Sequence, residues 1–253
     1  MQTDEDRARV VEMGGESQNA RAVGNLKFDQ ILPPYAQETL TEISKALRLQ
    51  GKEKILVAGS THSGEEEILV GLYKELKKAD PDLVLILAPR HLERLDEVER
   101  ILEKEALSWM RKTSLPKDER QSDQGRPEVI LLDTMGELMG IYSLGTLVFV
   151  GGSLVPIGGH NPLEPLFFRK CVIFGPYMFH FSEITSRLIE AGGAIQVSTK
   201  EEFFSQLKHL LSDEEARKDF GEKGYQFLRK HQGATERMLE EIRPFLIKKT
   251  LSA

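Results

Sequence analysis

Residues 151 to 165 read Gly-Gly-Ser-Leu-Val-Pro-Ile-Gly-Gly-His-Asn-Pro-Leu-Glu-Pro and hold the residues best suited to cradling a ligand. Four glycines within nine residues, Gly151, Gly152, Gly158 and Gly159, let a backbone approach a ligand closely or take positive φ without a Cβ penalty. Asn161 can then cap a helix that starts at Pro162, with Glu164 three residues past the cap, so that Asn-Pro-x-Glu satisfies orphan N–H groups. A plain loop with a capped helix accounts for Asn161 and Pro162. It accounts less well for the glycines together with His160 and Glu164.

Three other segments could contribute to the same site. In Gly59-Ser60-Thr61-His62-Ser63-Gly64-Glu65-Glu66-Glu67, Ser63 with Glu66 fits a capping box, and Gly-Ser-Thr offers N–H and hydroxyl donors to an anion at a helix start. The three glutamates complement the helix dipole, a structural role. The segment is neither a Walker loop nor a dinucleotide fingerprint. Pro89-Arg90-His91 places a guanidinium that can fork onto a phosphate or bond a nearby helix C-terminus, while His91 reads as a local bonding residue. Asp133-Thr134-Met135-Gly136-Glu137-Leu138 offers exposed backbone at Met135 and Gly136 that could read a nucleobase edge. Asp80-Pro81-Asp82 mimics a metal motif, but it precedes its strand and suits a turn. His209 and His231 fall in helical contexts and read as surface residues, and the single cysteine, Cys171, as a small core residue.

These segments are positioned by alternating strand-like and helical stretches. Strands are expected at 55–59, 83–88, 129–133, 146–150, 172–175 and 194–197. Between them lie helical stretches at 65–78, 91–111, 137–144, from Pro162, and around 182–191. Such alternation predicts βαβ units in a doubly wound parallel sheet of six strands, with ligands bound at the strands' carboxyl ends. Residues 112–127 read as a solvated loop, the last 50 residues as helical, and 3–13 as a helix stopped by Gly14-Gly15. The first 22 residues look appended to a body that runs from 23 to 253 and ends in helices.

At 253 residues, 40% hydrophobic and 29% charged, the composition is that of an ordinary globular protein. A net charge of −6 without a basic stripe argues against duplex nucleic-acid binding, which needs clustered Lys and Arg. No apolar run reaches the length of a membrane span, and the acidic start is unlike a signal peptide. A reducing, cytoplasmic setting is the default.

Taken in order, Gly24-Asn25-Leu26-Lys27-Phe28-Asp29, Ala58 to Glu66, Pro89-Arg90-His91, Thr134 to Leu138, Phe149 to Leu154, Gly158 to Glu164 and Phe174-Gly175-Pro176 resemble the 3-deoxy-D-manno-octulosonic acid (Kdo) transferases. The resemblance implies a GT-B glycosyltransferase, of whose two Rossmann-like domains this chain matches the C-terminal, donor-binding one. It implies CMP-Kdo as donor substrate, inverting transfer to the lipid A precursor (lipid IVA), and no cofactor or metal. Carried over, Arg90 holds the phosphate, Met135 and Gly136 meet the cytosine by backbone contacts, and Pro89 and Glu137 belong to the same nucleotide-binding set. Asn161, Pro162, Leu163 and Glu164 hold ribose and phosphate, with Glu164 accepting from ribose hydroxyls. Lys27, Ser60, Thr61 and His62 border the Kdo moiety. His180 stands where relatives often have Asn. No catalytic residue is expected in this chain, since the resemblance places the general base in a missing N-terminal half. The expected partners are CMP-Kdo, the lipid A precursor and that half, with peripheral membrane contact of the full-length protein at the cytoplasmic face of the inner membrane. The alternatives are a GT-B donor domain for a UDP-sugar and a non-catalytic nucleotide-binding module.

Overall fold

A computed structural model describes residues 1–29, 37–115 and 126–250. Among the described residues seven strands run parallel, in the order β3-β4-β2-β1-β5-β6-β7. They are β1 (Ile55–Thr61), β2 (Val84–Pro89), β3 (Trp109–Arg111), β4 (Val129–Leu131), β5 (Leu147–Val150), β6 (Cys171–Phe174) and β7 (Ile195–Gln196). The central strands are apolar runs because helices cover both faces; β2, β5 and β6 are buried along their whole length. Cys171 is 1% exposed and sits in this core.

The helices are α1 (Asp4–Glu12), α2 (Gln37–Ala46), α3 (Glu65–Ala79), α4 (Leu95–Lys104), α5 (Leu138–Tyr142), α6 (Leu163–Leu166), α7 (Ser182–Glu190), α8 (Lys200–Ser212), α9 (Glu214–His231) and α10 (Ala234–Thr250). Chain order turns back at β1: β2, β4 and β3 lie on one side of it and β5, β6 and β7 on the other. The loops after β1 and β5 therefore meet at the topological switch point, where open α/β sheets bind ligands.

Packing divides the chain into two units, residues 35–225 and residues 1–34 with 226–253. The divide expected after residue 22 falls inside the second unit, and the helices from 226 onward group there as well. In that unit Thr3 and Asp6 form a capping box on α1, and the Asp29 carboxylate accepts the N–H groups of Gly233 and Thr235 at the start of α10. His231, read as a surface residue, is half-buried. Its ring stacks on Phe28 at 5.0 Å and packs against Phe227.

Two further expectations need correction. The helix expected over 91–111 is shorter: a 3-10 turn (Leu92–Arg94) leads into α4, and Trp109–Arg111 become an edge strand beside β4. Ser63 and Glu66 form no capping box; Ser63 donates instead to Glu97, and α3 starts after Gly64 with no side-chain cap. Of the loop expected over 112–127, residues 116–125 lie outside the described residues, and Lys112–Ser114 form a 3-10 turn. Asp80 pairs with Lys54 at 2.8 Å, which ties its turn to the start of β1.

Candidate functional site

A cavity of about 380 Å³ opens at the carboxyl ends of β1, β2, β4 and β5, within the range of small-molecule sites. Each strand's loop supplies one wall. Ser60 closes β1 in the left-handed region, at φ 56°, where the strand's register shifts. Pro89 ends β2 and Arg90 follows it, and the Arg90 N–H donates to the Thr61 carbonyl at 2.9 Å, which locks the two strand ends together. Arg90 is exposed, and among the described residues its guanidinium bonds neither a carboxylate nor a helix carbonyl. Of the two uses its sequence allows, the anion-binding one is left open by this geometry.

Met135, 65% exposed, and Gly136, at φ 83°, present their backbone to the cavity from the turn after β4. Glu137 does not line it. Its carboxylate takes the Lys112 ammonium at 2.6 Å and the Thr134 hydroxyl. Burial opposes its ionisation, but these two donors and the Lys112 charge hold its pKa below the usual carboxylate range. The role of Glu137 is thus to pin the turn.

After β5, His160, Asn161 and Glu164 reach the cavity, while Pro162 and Leu163 are buried beneath it. Asn161 Oδ1 accepts the Leu163 N–H at 3.1 Å, as its capping pattern predicts, and Asn161 Nδ2 lies 3.3 Å from Glu164 Oε1. Burial raises the Glu164 pKa, against the opposing Asn161 bond, so this carboxylate gains from any further donor. Tyr142 lines the cavity as well; burial and the Glu164 charge both push its hydroxyl pKa up. A Cβ on Gly59 would lie 2.2 Å from that hydroxyl, so glycine is needed there.

Thr61 and His62 differ from expectation in what their side chains do. Thr61 is fully buried and donates its hydroxyl to Glu66, which also binds the Arg94 guanidinium at 2.9 and 3.2 Å. Only its carbonyl serves the site, through Arg90. His62 stacks on His160, with their Nε2 atoms 2.8 Å apart, so one ring must donate and the other accept. Burial, then the neighbouring His62, Arg90, His91 and His180, depresses His160 to about 4, and burial with His91, Arg94 and Arg90 depresses His62. His91 bonds Glu93 locally at 3.3 Å, as its sequence suggests, and its ring edge meets His62. His180 donates its N–H to the Gly158 carbonyl at 3.0 Å. Lys27 belongs to the other unit, in a 3-10 turn (Leu26–Asp29), and is not among the cavity residues.

One residue exceeds its expected role. Glu65, read as a dipole complement, is fully buried, and its carboxylate accepts four backbone N–H groups: His62 (2.9 Å), Gly152 (2.7 Å), Ser153 (2.9 Å) and Leu154 (2.8 Å). Burial raises its pKa and those four bonds oppose the rise. Sequence alone gave only a weak signal, a glutamate one residue inside a helix that follows a glycine-rich turn.

No family model matches the chain. It is 38% identical over 242 residues to the 3-deoxy-D-manno-octulosonic acid transferase of Haemophilus influenzae, covering 94% of this chain and 54% of that protein. It is 39% identical over 226 residues to a bifunctional glycosyltransferase/methyltransferase of Fusobacterium nucleatum, covering 88% of this chain and 34% of that one. The chain thus spans about half or less of the length of these relatives. The crystal structure of the C-terminal CMP-Kdo binding domain of WaaA from Acinetobacter baumannii superposes with a TM-score of 0.68 at 29% identity, covering 76% of this chain and 96% of that domain. A parallel sheet of this order, with its cavity at the switch point, is a Rossmann-like domain of GT-B type. Along nearly its whole length the chain is similar to Kdo transferases, and in fold it corresponds to the C-terminal domain of one.

Proposed function

We propose that this chain binds CMP-Kdo and serves as the donor half of a glycosyltransferase that adds Kdo to the lipid A precursor with inversion. The carrying observation is that an exposed Arg90, the open backbone of Met135 and Gly136, and the desolvated Glu164 converge on one cavity in a chain with these relatives. Arg90 takes the phosphate through a planar fork, the Met135-Gly136 backbone meets cytosine, and Glu164 accepts from the ribose hydroxyls with Asn161 beside it. Ser60 and His62 face the sugar side. As the acceptor oxygen bonds to C2 of Kdo, the bond from C2 to the phosphate oxygen breaks and CMP leaves. The charge that develops on the phosphate is stabilised by Arg90. The acceptor's proton goes to a base in the N-terminal half, which also holds the lipid acceptor at the cytoplasmic face of the inner membrane. Among the described residues no helix is long and apolar enough to cross a membrane.

Calorimetric titration of the purified chain with CMP and with UMP tests this reading. CMP should bind and UMP should bind at least tenfold more weakly. Equal affinities would favour a UDP-sugar donor domain and reject the CMP-Kdo assignment. The chain alone should release no CMP from CMP-Kdo onto a lipid acceptor, because near-attack geometry and a general base both require the other half.

A further inference from the structure

We infer that Glu65 is a positioning residue that presets the nucleotide-binding wall of the cavity through the glycine-rich loop; this rests on the nucleotide-site reading above. Its two carboxylate oxygens divide their work. Oε1 accepts the N–H groups of Ser153 and Leu154, and Oε2 those of Gly152 and His62. The strand-end loops after β1 and β5 are thereby tied to one buried atom group. From there the chain of bonds runs outward. The Gly152 carbonyl accepts the Gly159 N–H at 2.8 Å, and the Gly151 carbonyl accepts the His160 N–H at 3.1 Å. The closed loop delivers Asn161, whose side chain in turn caps Leu163 and contacts Glu164.

Gly152 sits at φ 68°, a conformation its neighbours must hold in place, and an ionised carboxylate aimed at three successive N–H groups does so. No arginine, lysine or histidine side chain bonds Glu65 among the described residues; its partners are all backbone amides. A carboxylate with only backbone donors cannot be replaced by an amide. The Oε1 of Gln would serve one pair of N–H groups, and its NH₂ would oppose the other pair. Glu66, one residue on, has a different task, bonding Thr61 and Arg94 under β1.

Glu65→Gln and Glu65→Asp, compared with the intact chain, test this by hydrogen exchange and by titration with CMP and cytidine. In Glu65→Gln the Gly152, Ser153 and Leu154 amides should lose protection, and the loss should spread to Gly159 and His160 while the β5 and β6 amides keep theirs. CMP and cytidine should both weaken at least tenfold and by equal factors, because Arg90, just after β2, still holds the phosphate. Glu65→Asp keeps the charge and should lose less; it also serves if the Gln variant does not fold. A merely structural role would lower the melting temperature and leave the affinity of the folded fraction unchanged. Unchanged affinity, or exchange confined to residues 152–154, overturns the inference. If the intact chain itself fails to bind CMP, the nucleotide reading fails, and the spread of exchange to Gly159 and His160 still decides whether Glu65 sets the loop.

Discussion

Replacing Glu164 with Gln isolates the contact on which the nucleotide reading depends most. The substitution leaves the helix start intact, since the Asn161 cap on Leu163 does not involve it, and the new amide oxygen can keep the Asn161 contact. What is lost is a charged acceptor for the ribose diol. A hydrogen bond to a charged group is worth about 1.5–3 kcal/mol, so CMP should bind about 10- to 150-fold more weakly. Burial makes the upper part of that range the expected one. Glu164 is held above the usual carboxylate pKa by desolvation, and donors arriving from ribose would relieve that penalty. The same fact fixes a pH signature. CMP binds the ionised carboxylate, so the affinity gained from the diol is present above the raised pKa of free Glu164 and is lost as pH falls through it. Comparing CMP with its 2′,3′-dideoxy analogue by calorimetry cancels titration of phosphate and base. The ratio of the two affinities should fall with pH in the intact chain and stay flat, and smaller, in the variant. If a folded Glu164→Gln chain loses equal affinity for both ligands, the carboxylate does not read the ribose.

Arg90→Lys should weaken CMP several-fold yet leave cytidine nearly unaffected, because an ammonium keeps the charge and loses the planar fork; equal losses for both ligands would make Arg90 a structural residue. Acid should destabilise the fold through the stacked histidines. His160 is held at about 4 in the folded chain against an ordinary value of ~6.5. Its stabilisation is therefore full above ~6.5 and lost as pH falls from there through about 4, on the order of 2 kcal/mol. Denaturant melts of the intact chain and His160→Gln between those limits should show a slope in the first and a flatter one in the second; identical slopes would exclude the pair as the source. Gly151→Ala should lower the thermal midpoint by several degrees, about 2 kcal/mol or more, since a Cβ there would lie 2.3 Å from the Ser60 carbonyl oxygen, a backbone atom that cannot swing away. A midpoint within a degree of the parent would show that the two loops can part.

The sheet was legible because its central strands are buried on both faces and must be apolar without interruption. β1, β2, β5 and β6 each lie within a residue or two of the ranges read from sequence, bounded by glycine or charge. The one strand missed, Trp109–Arg111, sits at the edge, where half-burial leaves no apolar run; its residues are neither fully buried nor alternating, and its place comes from pairing with β4. The 91–111 stretch looked helical throughout because the helix pattern of 95–104 ran on through 105–111 with no glycine or proline to stop it.

In the site, backbone-governed features were legible and side-chain partnerships were not. Asn161 caps as its neighbours predict, and Arg90 and Glu164 arrive at one cavity because strand ends in a parallel sheet must lie together. What spacing cannot give is which carboxylate faces water and which turns inward. Glu65, Glu66 and Glu67 are consecutive, so helix geometry sends them in directions about 100° apart. Glu65 is directed under the glycine loop, Glu66 toward Thr61 and Arg94, and Glu67 is exposed. Only the packing of α3 against β1 and the β5 loop selects among these directions. The same packing explains why Thr61, polar and next to the site, gives its hydroxyl to Glu66 rather than to a ligand. A carboxylate fully buried beside a strand end recruits the nearest hydroxyl, because leaving it short of donors would cost more than any contact the hydroxyl could make with solvent or substrate.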